Sequence, residues 1–411
     1  MYIRSFINAL FILFFFIIIF SCGKSDSESA KQINLGALFD LTGPTSDVGW
    51  HYTDGIRDYI QYVNDEKGGI GSGVKINLIW TDYQYKIPQA ISAYSKFVKQ
   101  DKVVAIIGWG TGDTEALKSK IIKDQIPYTS GSFSQHLVWP PKYNFLPVTT
   151  YADHVRIVMK YFRDNWTEGR NPRMALIYND SGYGKAILVP ARNYAKEIGI
   201  DIVAEEVVGL RDLEATSQML RIKEKKADFV YMQETYTATS TVLKEAKKHG
   251  MTDVTFTGNY WGTGQKLAEL AGDAAEGYLG IMPFAIWTDE GEGVEFAKML
   301  NAKYHPDVEY REGQYMTGIV NAMMMLRGIE IALENAGGDP SKVTGADVYK
   351  GLEALKDFGS MGMTAPISFS PTERRGAKQG RLATIKNGQL VSATDWLDAP
   401  PVPEAEMRGE E

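Results

Sequence analysis

From Ile33 onward, short runs of apolar residues alternate with longer amphipathic segments. The apolar runs are rich in β-branched residues and almost uninterrupted, which is typical of strands buried on both faces of a parallel sheet. In the first part of the chain the pattern predicts strands at residues 33–39, 74–80, 103–108 and 126–130, with helices at residues 48–64, 88–99 and 113–123.

The same alternation then starts again. Val155, Val158, Met159 and Phe162 share one helical face, which predicts a helix over residues 151–166. Further strands are predicted at residues 173–179, 201–208, 227–233, 252–258 and 277–284, with helices between them, including one at residues 184–198. Two successive series of this kind predict an α/β protein with two doubly wound, Rossmann-like lobes.

The end of the chain has a different pattern. Three helices (residues 293–303, 315–334 and 345–356) precede a strand-like segment at 365–370 and two alternating strands around Asn387-Gly388. An Asn-Gly pair between such strands is typical of a β-hairpin. Because no third series of strands exists, these late elements must be shared between the two lobes. Residues 397–411, rich in proline and glutamate, are predicted to form a flexible tail.

The N-terminus has the pattern of an export signal. Ala9 to Phe20 form an unbroken apolar run after Arg4, shorter than the roughly 20 residues that span a bilayer. We therefore predict a signal peptide over residues 1–21. Ser21-Cys22 completes a segment that resembles a bacterial lipobox, so Cys22 is the expected lipid anchor and residues 22–32 a tether. The alternative is an unmodified cysteine beside an ordinary cleavage site.

Composition narrows the class of protein. The chain has 411 residues, of which 44% are hydrophobic, and this is enough apolar material to form extensive cores. A single cysteine excludes an intrachain disulfide and a multi-cysteine metal site. With 44 basic and 51 acidic residues and no dense stripe of Lys and Arg, nucleic acid is not an expected partner.

Motifs of enzymes are missing from the sequence. The five histidines are scattered, and no HExxH pair occurs. Ser360 lies near glycines but lacks the first glycine of a nucleophile elbow, and no Walker loop is present. We therefore predict no catalytic residue, no metal and no cofactor. An exported hydrolase on an α/β scaffold is the enzyme alternative.

One glycine-rich turn, residues 108–115, follows a buried strand and precedes a helix. Its backbone N–H groups are expected to point into the crevice at the end of the strand. The turn does not match a dinucleotide fingerprint, because Asp113 occupies the place of the third glycine and Tyr128 the place of the acidic residue. It is interpreted as a contact loop for a small ligand, or else as a tight turn in which Asp113 caps the helix.

Aromatic residues recur where loops leave the predicted strands. The carboxyl ends of the strands in both lobes would bring these loops to one cleft. The alternative for each residue is that it covers the core of its own lobe, and we expect only four or five to contact a ligand. The residues are Trp109, Phe133, Tyr151, Tyr183, Tyr236, Tyr260 and Trp261.

Several segments resemble the branched-chain amino acid binding proteins of ABC transporters: LFDLTGPTSDVG, VNDEKGGIGSGVKINLIWTD and IPQAISAYSKFVKQDKVVAIIG in the first half, and YNDSGYGKAI, ADFVYMQ and GDAAEGYLG in the second. The likeness runs from about Ile33 to Val391. It implies the type I periplasmic binding protein fold, in which two α/β lobes joined by three crossing strands close on a ligand. The crossings would lie near residues 148–151, 280–284 and 364–368.

The resemblance also implies the division of the chain and its partners. The first lobe would comprise residues 33–149 and 285–362, and the second lobe residues 150–284 and 363–396. The partners would be a small-molecule ligand and ABC permease subunits, with the protein lipid-anchored in the periplasm or on the cell surface. A sensory module that reports the ligand to a membrane partner without transport is the alternative.

In amino-acid-binding members, first-lobe hydroxyls and amides hold the ligand carboxylate and a second-lobe acid pairs with the ammonium. This sequence has Gly112 where a serine is expected, Phe133 in place of a threonine and Tyr260 in place of the acid. Unless Glu234 or Asp113 replaces that acid, the resemblance favours a carboxylate, amide or aromatic acid over an amino acid. The candidate ligand-binding residues are Trp109, Gly110, Thr111, Gly112, Asp113, Thr129, Ser130, Gly131, Ser132, Phe133, Tyr151, Tyr183, Tyr236, Tyr260 and Trp261.

Overall fold

The structure is a computed structural model that describes residues 31–71 and 73–409. The predicted signal peptide, Cys22 and nearly all of the predicted tether lie outside the described residues. Two separate sheets account for the strands of the described part, as the two successive series in the sequence predict.

The first sheet is parallel throughout, with strand order β2-β1-β3-β4. Its central strand β1 is almost completely buried, because helices cover both faces. The elements are β1 (Gln32–Phe39), α1 (Ser46–Asp65), β2 (Lys75–Asp82), α2 (Ile87–Lys99), β3 (Ala105–Ile107), α3 (Thr111–Asp124) and β4 (Tyr128–Thr129).

The second sheet has the strand order β11-β10-β9-β8-β7-β5-β6, with β12 paired to β10. Strands β5 to β9 are parallel, whereas β10 runs antiparallel to β9, β11 and β12. The elements are α4 (Tyr151–Asp164), β5 (Arg173–Tyr178), α5 (Gly182–Lys185), α6 (Leu188–Ile198), β6 (Asp201–Val207), α7 (Thr216–Glu224), β7 (Phe229–Gln233), α8 (Tyr236–Lys248), β8 (Thr255–Gly258), α9 (Gln265–Ala271), β9 (Leu279–Met282), β10 (Gln379–Lys386), β11 (Gln389–Ser392) and β12 (Leu397–Asp398).

Three helices between β9 and β10 return to the first lobe: α10 (Glu292–Tyr304), α11 (Gly313–Asn335) and α12 (Gly345–Glu353). Helix α11 packs against α1 and α12. The backbones touch at two glycines, since a Cβ at Gly55 would lie 2.1 Å from the Tyr315 carbonyl oxygen and one at Gly318 2.1 Å from that of Tyr52. Helix α11 is long and apolar enough to cross a membrane, but 83% of its apolar window is buried within the protein, as in a core helix.

The chain passes between the lobes in three places, and the third lies later than the sequence predicts. Residues 365–370 form isolated bridges instead of a strand, and the Phe369 N–H donates at 3.1 Å to the carbonyl of Leu355, two residues beyond α12. Arg374 is buried and donates to Glu353 of α12 at 2.8 Å. These contacts keep residues 365–374 with the first lobe, so the change of lobe falls near residue 375 and not at 362.

The predicted helix over residues 184–198 is divided into α5 and α6. Pro190 has no N–H to donate to the carbonyl of Ala186, four residues earlier. That carbonyl instead accepts a hydrogen bond from Nε2 of Gln135 at 2.8 Å. The break in the helix thus supplies a contact to the segment that follows β4.

The predicted hairpin is confirmed. Asn387 and Gly388 join β10 to β11 and have φ angles of 53° and 72°. Positive φ at both central residues is what a tight type I′ turn requires.

The C-terminal segment differs from the predicted flexible tail. After β12 it forms α13 (Glu404–Arg408), in which Glu406 is 2% exposed. The Glu406 carboxylate accepts from Arg156 of α4 at 2.8 Å through each oxygen and from Asn193 of α6 at 3.2 Å. A segment rich in proline and glutamate is expected to stay in solvent because an unpaired carboxylate is costly to bury. Here the buried guanidinium of Arg156 pairs with Glu406, so the segment can pack against the second lobe.

Candidate functional site

A cavity with an empty volume of about 270 Å³, part of it open to solvent, lies between the two lobes. Its walls are loops that follow strands of both sheets, together with residues in the first turns of α1, α3, α4 and α5. This is the crevice at the carboxyl ends of parallel strands in which α/β proteins bind ligands. The lining residues are Thr45, Val48, Tyr85, Trp109, Gly110, Thr111, Gly131 and Ser132 from the first lobe, and Tyr151, Tyr183, Thr235 and Trp261 from the second.

Aromatic rings form much of the wall, with one pair that meets across the lobe boundary and one pair within the second lobe. The rings of Trp109 and Trp261 lie 5.0 Å apart at 74°, and those of Tyr151 and Tyr183 lie 5.4 Å apart at 67°. Edge-to-face geometry of this kind is the favourable arrangement for aromatic pairs. The Trp109 indole N–H donates to Thr45 Oγ1 at 2.8 Å, which holds its ring in place.

Hydroxyl groups supply the polar part of the wall. Thr111 Oγ1 and Ser132 Oγ lie 2.5 Å apart, within hydrogen-bond distance. Thr111 is the first residue of α3, and Gly110 is its N-cap residue. Among the lining residues there is no Asp, Glu, Lys, Arg or His. The cavity can therefore offer hydrogen bonds and aromatic surface to a ligand, but it has no ionised side chain on its wall.

Glycine is required at two places on the wall. A Cβ at Gly110 would lie 2.2 Å from Asp113 Oδ1 and 2.6 Å from the Tyr83 hydroxyl. A Cβ at Gly131 would lie 2.6 Å from the ring of Trp109. Any side chain at either position would displace residues that shape the cavity.

Two acids lie behind the wall. Asp113 Oδ1 accepts from the Tyr83 hydroxyl at 2.7 Å, and burial raises the pKa of Asp113 to about 7. Glu234 accepts from Asn179 Nδ2 at 3.1 Å, and burial raises the pKa of Glu234 well above its usual value. Because desolvation favours the neutral form of both acids, neither presents a full negative charge to the cavity.

Eight of the predicted ligand-binding residues line the cavity: Trp109, Gly110, Thr111, Gly131, Ser132, Tyr151, Tyr183 and Trp261. Seven do not: Gly112, Asp113, Thr129, Ser130, Phe133, Tyr236 and Tyr260.

Two of those seven join the lobes beside the cavity. The Tyr236 hydroxyl donates to Gln314 Oε1 at 2.9 Å, and the Tyr260 hydroxyl lies 2.7 Å from Thr317 Oγ1. Both partners are on α11 of the first lobe. Because each hydroxyl is already paired and each side chain is fully buried, these tyrosines belong to the lobe interface and not to the wall.

The other displaced residues have partners of their own. The ring of Phe133 packs among those of Tyr151, Tyr260, Trp261 and Phe284. Thr129 donates to Asn321 at 2.5 Å, and Ser130 donates to the Ser132 carbonyl at 3.0 Å. A Cβ at Gly112 would face Ile87 at 3.3 Å, away from the cavity wall.

Four lining residues were not predicted from the sequence: Thr45, Val48, Tyr85 and Thr235. Thr45 had a detectable signal, because it lies in the Asp- and Gly-containing loop that directly follows the first strand. There Asp40 accepts from the N–H groups of Gly43 at 2.6 Å and Thr45 at 3.0 Å. No feature of the sequence marks Tyr85 as a lining residue. Its backbone has a positive φ of 58°, a conformation that the residue type does not predict.

Two α/β lobes with a cavity at the facing ends of their strands define a class of ligand-binding proteins. A family model described as periplasmic binding protein matches residues 32–389, and the chain belongs to this family. The family consists of extracytoplasmic solute-binding proteins, not enzymes.

Individual relatives are consistent with the resemblance noted in the sequence. The chain is 23% identical over 344 residues to Leu/Ile/Val-binding protein homolog 7 of Brucella suis, covering 80% of this chain and 85% of the relative. It is 27% identical to a branched-chain amino acid ABC transporter protein of Thermus thermophilus solved with bound valine, with a TM-score of 0.84 over 92% of this chain and 98% of that one. A fatty acid ABC transporter substrate-binding protein of Thermomonospora curvata has a TM-score of 0.79 at 19% identity, over 90% and 93% of the two chains.

Proposed function

We propose that this protein is the solute receptor of an ABC importer and that it captures a small carboxylate, amide or aromatic acid between its lobes. Ligand contacts with both walls would shift an open–closed equilibrium of the hinge toward the closed form. The closed form would then be the state that the permease subunits bind.

The observation that carries the ligand class is the uncharged wall of the cavity. An ammonium group enclosed without a counter-charge costs on the order of 3–5 kcal/mol, by analogy with breaking a buried ion pair. That corresponds to more than a hundredfold in affinity at about 1.4 kcal/mol per decade. A ligand without an ammonium avoids this cost.

The hydroxyl and aromatic groups suit such a ligand. Thr111 and Ser132 can turn their hydroxyls toward an acceptor, and the first turn of α3 begins at the same place, where its partial positive charge favours a carboxylate. Trp109 and Trp261 can pack on an apolar or aromatic body. The fold itself is compatible with both classes of ligand, since one neighbour was solved with valine and another is named for fatty acids.

An amino acid is the second candidate, and one observation favours it. Glu234 Oε1 has no hydrogen-bond partner among the described residues, and the next residue, Thr235, lines the cavity. An ammonium that reached this oxygen would favour the ionised form of Glu234 and thereby gain its missing counter-charge.

A thermal-shift screen of residues 22–411 carrying Cys22→Ser tests the proposal. At a hundred times its Kd a ligand adds roughly 2.7 kcal/mol, and about 2–4 °C per kcal/mol makes the shift visible. We expect a shift with aromatic acids, short-chain carboxylates or amides, and none with leucine or valine.

Variants make the screen sharper. Ser132→Ala with Thr111→Val should reduce the shift from an acid, whereas Thr252→Ala, an exposed hydroxyl away from the cavity, should leave it unchanged. If leucine gives the thermal shift and Glu234→Gln abolishes it, the ligand is an amino acid and the proposed ligand class is wrong.

We also propose that Cys22 anchors the mature chain to the membrane by lipid, on the strength of the lipobox resemblance alone. Metabolic labelling with a radioactive fatty acid should mark the parent protein, and Cys22→Ser should release it into the soluble fraction. An unlabelled parent would leave an ordinary signal peptide as the correct interpretation.

A further inference from the structure

Two carboxylates of the first lobe reach across to the start of two helices in the second lobe. Asp47, in the first turn of α1, accepts through Oδ2 from Thr235 Oγ1 at 3.0 Å, from the Thr237 N–H at 3.3 Å and from Thr237 Oγ1 at 3.1 Å. All three donors lie at the beginning of α8.

Glu312, which precedes α11, makes the corresponding contact with α9. Its Oε1 accepts from the Lys266 N–H at 2.6 Å, and its Oε2 accepts from the Gln265 N–H at 3.0 Å. The Tyr236 hydroxyl, which donates over a shorter distance to Gln314, lies 3.3 Å from the same Oε2. Glu312 is 4% exposed, so these partners replace water at both oxygens. Neither Asp47 nor Glu312 lines the ligand cavity.

Helices α8 and α9 have no side-chain cap from their own N-cap residues. Thr235, at the N-cap of α8, donates its hydroxyl to Asp47 instead, and Gly264, at the N-cap of α9, has no side chain. A Cβ at Gly264 would lie 2.4 Å from Glu312 Oε2, so the glycine makes room for the carboxylate of the other lobe.

Other helices are capped within one lobe. Helices α4 and α12 begin with complete capping boxes, in which Thr150 pairs with Asp153 and Thr344 with Asp347. The contrast shows that the chain can encode local caps. At α8 and α9 the corresponding acceptors come from the opposite lobe.

We propose that Asp47 and Glu312 are positioning residues for hinge closure, which hold the lobes together by capping α8 and α9 across the interface. Burial raises the pKa of Asp47, and it raises that of Glu312 to about 7. The contacts with N–H and hydroxyl donors favour the ionised form, in which they are stronger than hydrogen bonds to a neutral acceptor, and at α8 the positive end of the helix adds to the attraction. Opening the lobes breaks every one of these contacts at once. The closed arrangement therefore has a source of stability outside the ligand cavity, whatever the ligand is.

Distances between spin labels on the two lobes test this in the ligand-free protein. Residues 22–411 with Cys22→Ser have no cysteine, so labels can be placed at Gln61 on the first lobe and Leu213 on the second, both exposed. We expect the parent to populate the short distance and the Asp47→Ala, Glu312→Ala double variant to lose at least tenfold in its ratio of short to long distances. Asp347→Ala, which removes a cap within one lobe, should leave the ratio unchanged.

Conservative variants separate the contact from a general loss of stability. A single oxygen of Asp47 accepts all three bonds, so Asp47→Asn can retain them and should stay within a few-fold of the parent. Both oxygens of Glu312 accept from N–H groups, so Glu312→Gln places an amide N–H against another donor and should resemble Glu312→Ala.

Two results would overturn the proposal: a double variant with the distance distribution of the parent, or a parent that shows only the long distance. The measurement needs no ligand and does not depend on the proposed ligand class. A failure here would leave the proposed function intact, and a negative ligand screen would leave this result intact.

Discussion

The inner cavity and the outer rim of the lobe interface have opposite chemistry. The cavity wall consists of aromatic rings and hydroxyls without an ionised side chain. At the rim, Asp47 and Glu312 contact backbone N–H groups, and Arg211 donates to the carbonyl of Gly43. Both regions connect the same two lobes.

Binding a ligand and holding the lobes closed therefore need not use the same groups. A charge on the cavity wall would have to be matched by each ligand, at the desolvation cost of a buried ion. A carboxyl group at the rim is matched by backbone N–H groups of the other lobe, which are always present. Substitutions in the two regions test this division of roles.

Trp109→Ala should have the largest effect, because Trp109 is 4% exposed and its ring meets Trp261 across the lobes. Truncating a buried Trp costs about 3–5 kcal/mol of the free energy of unfolding, measurable by urea denaturation. Trp80→Ala, at 41% exposure, is the matched control and should cost about 1 kcal/mol. Equal losses would show that Trp109 is not part of a tightly packed wall.

Asp113→Asn should change the pH dependence of stability. The pKa of Asp113 is raised by burial from 3.8 to about 7, so its contribution to stability is fully present below about pH 4 and is lost as the pH rises to about 7. The slope is at most about 1.4 kcal/mol per pH unit. Urea denaturation at about pH 5 and about pH 8 should show the variant gaining stability relative to the parent at the higher pH.

Asp347→Asn provides the control of opposite sign. The Thr344 hydroxyl lowers the pKa of Asp347, so the stability it contributes is present above its ordinary pKa and is lost as the pH falls. Relative to the parent, this variant should therefore gain in acid. The same pH trend in both variants would contradict the assignment of Asp113 as a buried, easily protonated acid.

Tyr260→Phe removes only the hydroxyl that meets Thr317 across the lobes. A typical buried hydrogen bond contributes about 0.5–1.5 kcal/mol, so a loss of that size in the free energy of unfolding is expected. The ligand-induced thermal shift should be retained, since Tyr260 does not line the cavity. If a ligand that shifts the melting temperature of the parent no longer shifts that of the variant, Tyr260 contributes to ligand binding after all.

Lys266→Met should have the smallest effect at the rim. The Lys266 side chain is half exposed and pairs with Glu269, and such pairs contribute about 0–1 kcal/mol. Its contact with Glu312 is made by the backbone N–H, which the substitution retains. Spin-label distances should therefore match those of the parent, and a shift toward the open form would show that side-chain charge also holds the rim.

Most of the fold could be predicted from the pattern of apolar residues. Both series of strands lie where the alternation placed them, and the Asn387-Gly388 hairpin has the positive φ angles that its residues favour. The cavity was predictable in part, because the carboxyl ends of parallel strands must meet at one edge. Trp109 and Trp261 follow from that rule alone, whereas Ser132 is indicated only by the family resemblance.

The rest depended on how side chains are oriented after packing. Tyr236 and Tyr260 lie at the predicted strand ends, but their hydroxyls form hydrogen bonds with α11 at the lobe interface and do not face the cavity. Tyr85 reaches the cavity through a backbone conformation that its residue type does not favour. A position at the end of a strand therefore predicts that a residue lies near the cavity. Contacts with helices distant in sequence then determine whether its side chain faces the cavity.

Burial periodicity and turn residues act over short stretches of chain, so the sequence pattern specifies the two lobes, the order of their elements and the edge at which the cavity forms. Tertiary packing instead sets which groups face the cavity, where the last crossing lies and how the C-terminal segment is held. Arg156 and Glu406 illustrate the reason, since the partners of this buried ion pair are 250 positions apart. Pairings over such distances depend on the packing of whole lobes, which no local pattern contains.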